Sequence, residues 1–542
     1  MLNLQNPDVP LLGLGASPQL GRPEKLCMLP VERDAAGCWR YAELMRRLEL
    51  GPEQILFSLD GRDTDWFSHP LPDWARRAEV QHLLLLPLYP QPPFMNQTLF
   101  DTADGLAAQR LWSGRAPPPG EELASTAMAD AIEQAVNQIN REGPASPPGL
   151  VRVPPAPTKN GLRLALGSCG YPPGILNEHP PSRGWDLLND RLDGTQPPQW
   201  LVLTGDQIYA DATAGLFDPT LADDRYRKPY ETWLHGKSVR RALGRVPLVC
   251  LPDDHELEDN WEPLAPDAPA DAAQRNRDVH ERGLRYFLRY QRLRFTATAE
   301  ETLAEPLWHA FEAEGIPVFL LDTRSRRQGR HGDTGFGAAG LLGAEQWQAL
   351  RRWLLEGPRD RPRLIVSPAI FLPRHRYALP ARLAFGREDA SIRACRRSDG
   401  WDGHPETLLS LLELIGEHQL RGLVFLSGDE HLGVFTTARL RRPGSKQEIA
   451  VHSIHTAGLN TPYRFANADA AELVQDEVLS FEGVSGSWEC VIGSRVFGGA
   501  GFTQLSLQPQ TSGSWQLHCE FSTCEPCAQP PDREVLETLD LF

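Results

Sequence analysis

The sequence predicts an α/β protein in which strands alternate with helices around a largely parallel sheet, preceded by a separate N-terminal domain of mixed or β-rich type. Three observations predict it. From Arg163 onward the chain repeatedly gathers short runs of leucine and β-branched residues, too brief for helices and patterned as strands buried on both faces. Each run stops at a polar cluster built from Gly, Asp, Cys or His. Amphipathic helical segments separate the later runs, as expected when helices cover a parallel sheet.

Residues 1–120 carry apolar runs at Leu11–Leu14, Gln54–Ser58 and Val80–Leu88, broken by Pro, Gly and Asp, with no chemistry-bearing motif. Over Glu121–Arg141, Met128, Ile132, Val136 and Ile139 share one face at helical spacing, which predicts a closing helix. Two proline-rich stretches, Gly143–Gly149 and Val153–Pro157, read as a stiff linker. The predicted division is an N-terminal domain over 1–150, with its closing helix at 121–141, and a second domain over 160–542.

In the second domain, Arg163–Leu166 runs into Gly167-Ser168-Cys169, and Trp200–Thr204 runs into Gly205-Asp206-Gln207-Ile208-Tyr209. Val246–Leu251 leads to Asp253-Asp254-His255-Glu256, and Pro317–Leu321 leads to Asp322-Thr323-Arg324. Arg363–Ser367 is a further strand, and Leu423–Leu426 ends at Ser427-Gly428-Asp429-Glu430-His431. Helices are predicted at Ala344–Leu355 and Glu406–His418. Beyond Glu448, short strands at Ala450–His455, Phe502–Leu507 and Trp515–Phe521 extend or cap a sheet.

Charge and composition narrow the function. A formal net charge of −16 argues against nucleic-acid binding, which needs basic surface. The longest apolar runs fall far short of the ~20 residues of a membrane span. The N-terminus shows no basic, apolar leader, and nine cysteines scattered over a long chain do not form a disulfide framework. A soluble cytoplasmic protein is expected.

The strand ends carry the chemistry, because open α/β sheets bind ligands beyond the carboxyl ends of their strands. Carboxylates suit hard divalent cations, whereas thiolate, phenolate and imidazole suit transition metals. A cluster that mixes them fits a dinuclear hydrolytic centre, with a bridging carboxylate and a metal-bound hydroxide as nucleophile. Asp253, Asp254 and Glu256 beside His255 repel one another unless a cation or solvent compensates.

Gly167-Ser-Cys169, Gly205-Asp-Gln-Ile-Tyr209, Asp253-Asp-His-Glu256 with Asp259-Asn-Trp261, Leu321-Asp-Thr-Arg324, Trp401-Asp-Gly403 and Ser427-Gly-Asp-Glu-His431 occur in this order. Together they resemble the alkaline phosphatase D (PhoD-like) branch of the calcineurin-like metallophosphoesterases, over roughly Arg163 to Asn467. The resemblance implies a four-layer αββα sandwich, the metallo-dependent phosphatase fold, and hydrolysis of small-molecule phosphate mono- or diesters. It implies two metal ions, iron plus a divalent ion (Ca, Mn or Zn). Asp206 would bridge them, with Cys169, Tyr209, Asp254, Asp429 and His431 as the other ligands. His255 would assist the leaving group, and Arg324 and Asn260 would contact phosphate oxygens. The alternative is a catalytically silent member that keeps the fold to bind a phosphorylated ligand or partner. The sequence carries no signal of oligomeric state.

Some features admit a second reading. The arginines of Asp271–Phe295 fit either a solvated helix face or a phosphate-facing set. Gly236-Lys237-Ser238 ends like a phosphate-binding loop, but Glu231 stands where its first glycine belongs. His518 and Cys519 are neighbours that point apart on a strand, so with Cys524 and Cys527 they read as free side chains rather than a zinc site. His375, His452 and His455 read as ordinary histidines, and Asp211 as a turn or supporting residue.

Overall fold

The computed structural model describes residues 25–58, 73–77, 79–88, 132, 136–137, 140, 150–152, 161–172, 182–212, 221–243, 245–292, 298–330, 340–376, 382–383, 398–461, 470–511, 513–524 and 533–541. Most of the helix expected over Glu121–Arg141 lies outside them, as does Cys527; within that helix, Ile132 and Val136 are helical and buried.

The strands form three sheets rather than one. A five-stranded antiparallel sheet near the N-terminus pairs Lys25–Arg33 with His82–Leu88, and His82–Leu88 with Leu150–Arg152. The stretch between the two proline runs is thus a sheet edge. The helix Ala42–Leu48 accompanies this sheet, with Leu44 and Leu48 buried.

The other two sheets are mixed, each combining a run of parallel strands with antiparallel ones. In the seven-stranded sheet, Leu162–Gly170, Trp200–Leu203 and Leu248–Cys250 run parallel. Ala500–Pro509, Trp515–Cys524 and Arg533–Asp540 extend that sheet antiparallel. In the nine-stranded sheet, Ile316–Leu320, Arg363–Ser367, Leu423–Ser427 and Ile449–His455 run parallel. Gly433–Arg441, Gly486–Phe497 and Asp476–Gly483 flank them antiparallel. The largely parallel expectation thus holds for these runs of strands, most of them joined by helical crossovers, while Leu423–Ser427 reaches Ile449–His455 by way of the strand Gly433–Arg441.

Burial on both faces explains the unbroken apolar runs. Along Trp200–Leu203, Trp200 and Val202 enter a core that also takes Val318, Leu364, Val366, Val424 and Leu426 from the nine-stranded sheet. Leu201 and Leu203 point the other way, against Trp185, Leu188, Tyr230 and Phe287. These come from helices Arg183–Leu192, Asp224–His235 and Ala270–Gln291. In the nine-stranded sheet, Ile365, Leu423 and Phe425 face helices Ala344–Glu356 and Pro405–Glu417 through Trp347, Leu350, Leu408 and Leu412. The two sheets thus share one apolar layer, with helices on the outer side of each. Among the described residues, no helix is long and apolar enough to cross a membrane.

The arginine-rich segment is the 22-residue helix Ala270–Gln291, and its cations meet carboxylates rather than a ligand site. Arg275 pairs with Glu258, Arg282 with Asp223 and Arg285 with Glu281, while the Arg292 guanidinium donates to the Cys250 and Leu307 carbonyls.

Candidate metal centre

The carboxyl ends of four parallel strands from both sheets converge. Gly428 sets how closely they meet, because a Cβ there would lie 2.2 Å from both Ser168 Oγ and Thr204 Oγ1. Gly205 has the same need: it sits at φ +116, with Asp253 Cβ 2.3 Å from where its own Cβ would be. Cys169, Asp206, Asn260, Asp429 and His431 hold left-handed backbones, with φ of 48, 58, 52, 96 and 53. Non-glycine residues reach that region at a cost and keep it where surrounding structure enforces it, which is common at functional sites.

Glu256 does much of that enforcing. It is fully buried, and its carboxylate accepts the backbone N–H groups of Asp206 (2.9 Å), Gln207 (2.8 Å), Ile208 (3.3 Å) and Asp253 (2.8 Å). The turn that presents Asp206 is therefore wrapped around another carboxylate's lone pairs.

Two groups of donors lie around Asp206. One carboxylate oxygen from each of Asp206, Asp253, Asp254 and Asp429 lies within 4.8 Å of all the others, and an imidazole nitrogen of His255 lies within 4.8 Å of a carboxylate oxygen of both Asp206 and Asp254. The second set is softer: Cys169 Sγ is 3.5 Å from Asp206 Oδ2, and Tyr209 Oη is 3.2 Å from His431 Nε2. Asp253 is drawn off into an ion pair with Arg324, which leaves Asp254 the freer carboxylate of that pair. Asp254 Oδ2 accepts the Asn260 backbone N–H at 2.6 Å, but its buried Oδ1 has no hydrogen-bond partner.

This donor set fits cations. Burial, and then the neighbouring carboxylates, push Asp206 and Asp429 well above the usual carboxylate range. Burial with the nearby Asp206 charge raises the Cys169 thiol, and burial followed by the Cys169 and Asp206 charges raises the Tyr209 phenol. So much buried negative charge is tolerated only when compensated, and at the Asp254 Oδ1 that lacks a hydrogen bond the cation in reach is Arg324, with Nη2 3.7 Å away.

His255 lies across the Tyr209 ring, with centroids 4.1 Å apart. Its Nδ1 is 2.8 Å from Asp211 Oδ1, and its backbone N–H donates to Asp206 Oδ1 at 3.3 Å. Burial alone would lower its pKa, but the Asp254, Asp206 and Asp211 carboxylates hold it well above the ordinary histidine value. Asn260 is exposed at the rim, its side-chain amide donating to Asp259 Oδ1.

Arg324 sits among carboxylates. It is fully buried and ion-paired to Asp253 and Asp399, with Asp254 at 3.7 Å, so it braces the strand ends. Asp399, which also pairs with Arg327 at 2.5 Å, carries no sequence signal at all. Asp211 had one, its place in the same turn as Asp206 and Tyr209. Two histidines read as ordinary are bonded beside the site: His375 to Glu430 at 2.8 Å, and His455 to the Glu430 backbone N–H at 3.1 Å. The other features with a second reading stay apart from the site, since Ser238 donates to Asp186 in a helix start, Cys519 is in the inter-sheet core and His518 bonds Gln516.

Fold and site together define a metal-dependent phosphatase. The model of the PhoD-like phosphatase family matches residues 189–487, more than half of the chain, and the protein belongs to that family. The Cys169 strand end lies upstream of the matched span. A solved structure of PhoD superimposes with a TM-score of 0.50 at 15% identity, covering 72% of this chain and 72% of that one, and shares the fold. A purple acid phosphatase from yellow lupin (Lupinus luteus) seeds aligns at a TM-score of 0.41 and 9% identity, over 72% of this chain and 55% of that one. No curated protein sequence matches the chain.

Proposed function

We propose that the protein hydrolyses small-molecule phosphate mono- or diesters at a dinuclear centre holding iron and a divalent ion (Ca, Mn or Zn). The observation that carries the reading is that Asp206 belongs to the carboxylate set and also touches Cys169 Sγ, a softer donor whose neighbour Tyr209 pairs with His431. Asp206 would bridge, Cys169, Tyr209 and His431 would hold the iron, and Asp254 and Asp429 the divalent ion. When bound, the cations supply Lewis-acid activation of water and of the phosphoryl oxygens.

The chain's own residues supply the rest. Glu256 and Gly205 present Asp206, Asp211 fixes the His255 ring, and His255 holds a proton where a leaving oxygen needs one. Asn260, at the rim beside Asp254, is the proposed phosphate contact. Residues 160–542 form the catalytic domain in this reading, and 1–150 a separate one. Buried free thiols at Cys27, Cys169, Cys250, Cys490 and Cys519 favour a reducing, cytoplasmic setting.

The test is to load the purified chain with iron and each divalent ion, then assay 4-nitrophenyl phosphate and bis(4-nitrophenyl) phosphate. Metal-dependent release of nitrophenol is expected, and the ratio of the two rates assigns the ester class. Tight binding of both esters without turnover under every metal would instead favour the silent, ligand-binding alternative.

A further inference from the structure

The Trp401–Gly403 motif has no task in the chemistry above, and its geometry supplies one. The motif is a single helical turn in which Asp402 is buried. Asp402 Oδ2 accepts the His375 backbone N–H at 2.5 Å and lies 3.1 Å from His375 Nδ1, while the Ser398 hydroxyl donates to Oδ1. On its other edge, His375 Nε2 is 2.8 Å from Glu430 Oε1. Trp401 anchors the array to the adjacent strand end by donating its indole N–H to Ser367 Oγ at 2.9 Å.

Glu430 stands between Asp429 and His431, whose backbones sit at φ 96 and 53. The turn is therefore gripped twice. His375 takes the Glu430 side chain, while His455 Nε2 accepts the Glu430 backbone N–H at 3.1 Å and its Nδ1 pairs with Ser427 Oγ at 2.9 Å. A left-handed aspartate persists only where its surroundings over-determine it. Apolar packing would hold a loop at less desolvation cost than a buried carboxylate–imidazole–carboxylate array. What the array adds is direction, because each bond fixes an angle as well as a distance.

We infer that Asp402, His375 and Glu430 are positioning residues that set the metal affinity of the Asp429–His431 turn. This rests on the proposed function, in which that turn carries ligands.

The experiment measures Mn²⁺ affinity of the metal-stripped full chain by isothermal titration calorimetry, with circular dichroism and Tm recorded alongside. Asp429→Asn is the reference for loss of a ligand. Asp402→Asn and Glu430→Gln are the test variants, and the nearly isosteric Glu430→Gln keeps the test valid if Asp402→Asn fails to fold. Glu413→Gln is the control, since Glu413 bonds Ser485 at a hairpin outside the array. Expected are a weakening of about 10–100-fold for both test variants, an unchanged Tm for Glu430→Gln, and wild-type affinity for Glu413→Gln. Folded test variants that bind Mn²⁺ like wild type, while Asp429→Asn does not, overturn the positioning role. Wild-type affinity in Asp429→Asn overturns the ligand assignment beneath it, and the inference with it.

Discussion

Asp211 Oδ1 lies 2.8 Å from His255 Nδ1, and the other oxygen of the same carboxylate accepts the Asp259 backbone N–H at 2.6 Å. One carboxylate thus sets both the ring orientation of His255 and the course of the loop that carries Asn260. His255→Ala should lower kcat by about 10²–10⁴-fold, the usual worth of a general acid. Asp211→Asn should cost less, about tenfold or more on the same scale, with metal content unchanged in both. Steady-state kinetics beside metal analysis checks this; full activity in His255→Ala would remove it from the chemistry.

Gly428 is where the two sheets touch at the site. Gly428→Ala forces a methyl group onto Ser168 Oγ and Thr204 Oγ1, and should destabilise the fold by about 1–3 kcal/mol in urea unfolding. It should also weaken metal binding, because Asp429 follows directly. Wild-type values of both would contradict the close approach.

Much of this site was legible because strands buried on both faces leave continuous apolar runs, and the polar residues that end such runs have to be at the sheet's edge. Cys169, Asp206, Asp254 and Asp429 were found in that way. Partners joined across the fold were not legible. Arg324 reads as an open cation in sequence, and only the structure reveals Asp253 and Asp399 closing over it. The Asp402–His375–Glu430 array spans separate loops with no shared spacing, and Leu150–Arg152 becomes a strand only through its pairing with His82–Leu84. The antiparallel margins were hidden because alternation alone does not reveal direction.

Asp399 is the counterion of two buried arginines, and their charges hold its carboxyl far below the usual range against the opposing effect of burial. Asp399→Asn leaves Arg324 and Arg327 undercompensated and should cost about 3–5 kcal/mol. Urea unfolding of the metal-stripped protein measures it; a loss under 1 kcal/mol would mean solvent or another group already neutralises the pair.

His452 is buried on the strand Ile449–His455, bonded to Thr437 Oγ1 at 3.2 Å, and burial, with the Arg439 charge, lowers its pKa to about 4. Between its unfolded value near 6.5 and that folded value, the unfolded chain binds the extra proton. Stability is therefore fully present above about pH 6.5 and falls as the pH drops toward 4, by on the order of 3 kcal/mol. His452→Gln should flatten that acid slope, and an unchanged slope in urea titrations from pH 7 to 4 would exclude His452 as its source.

In the proposed centre Asp206 is shared by two cations. Metal analysis of wild type and Asp206→Asn, each purified and loaded identically, tests it most directly. Expected are two metal ions per wild-type chain, weakened retention of both in the variant, and a fall of at least about 10²-fold in phosphate ester hydrolysis. Full occupancy of two ions in Asp206→Asn, with the hydrolytic rate intact, would contradict it.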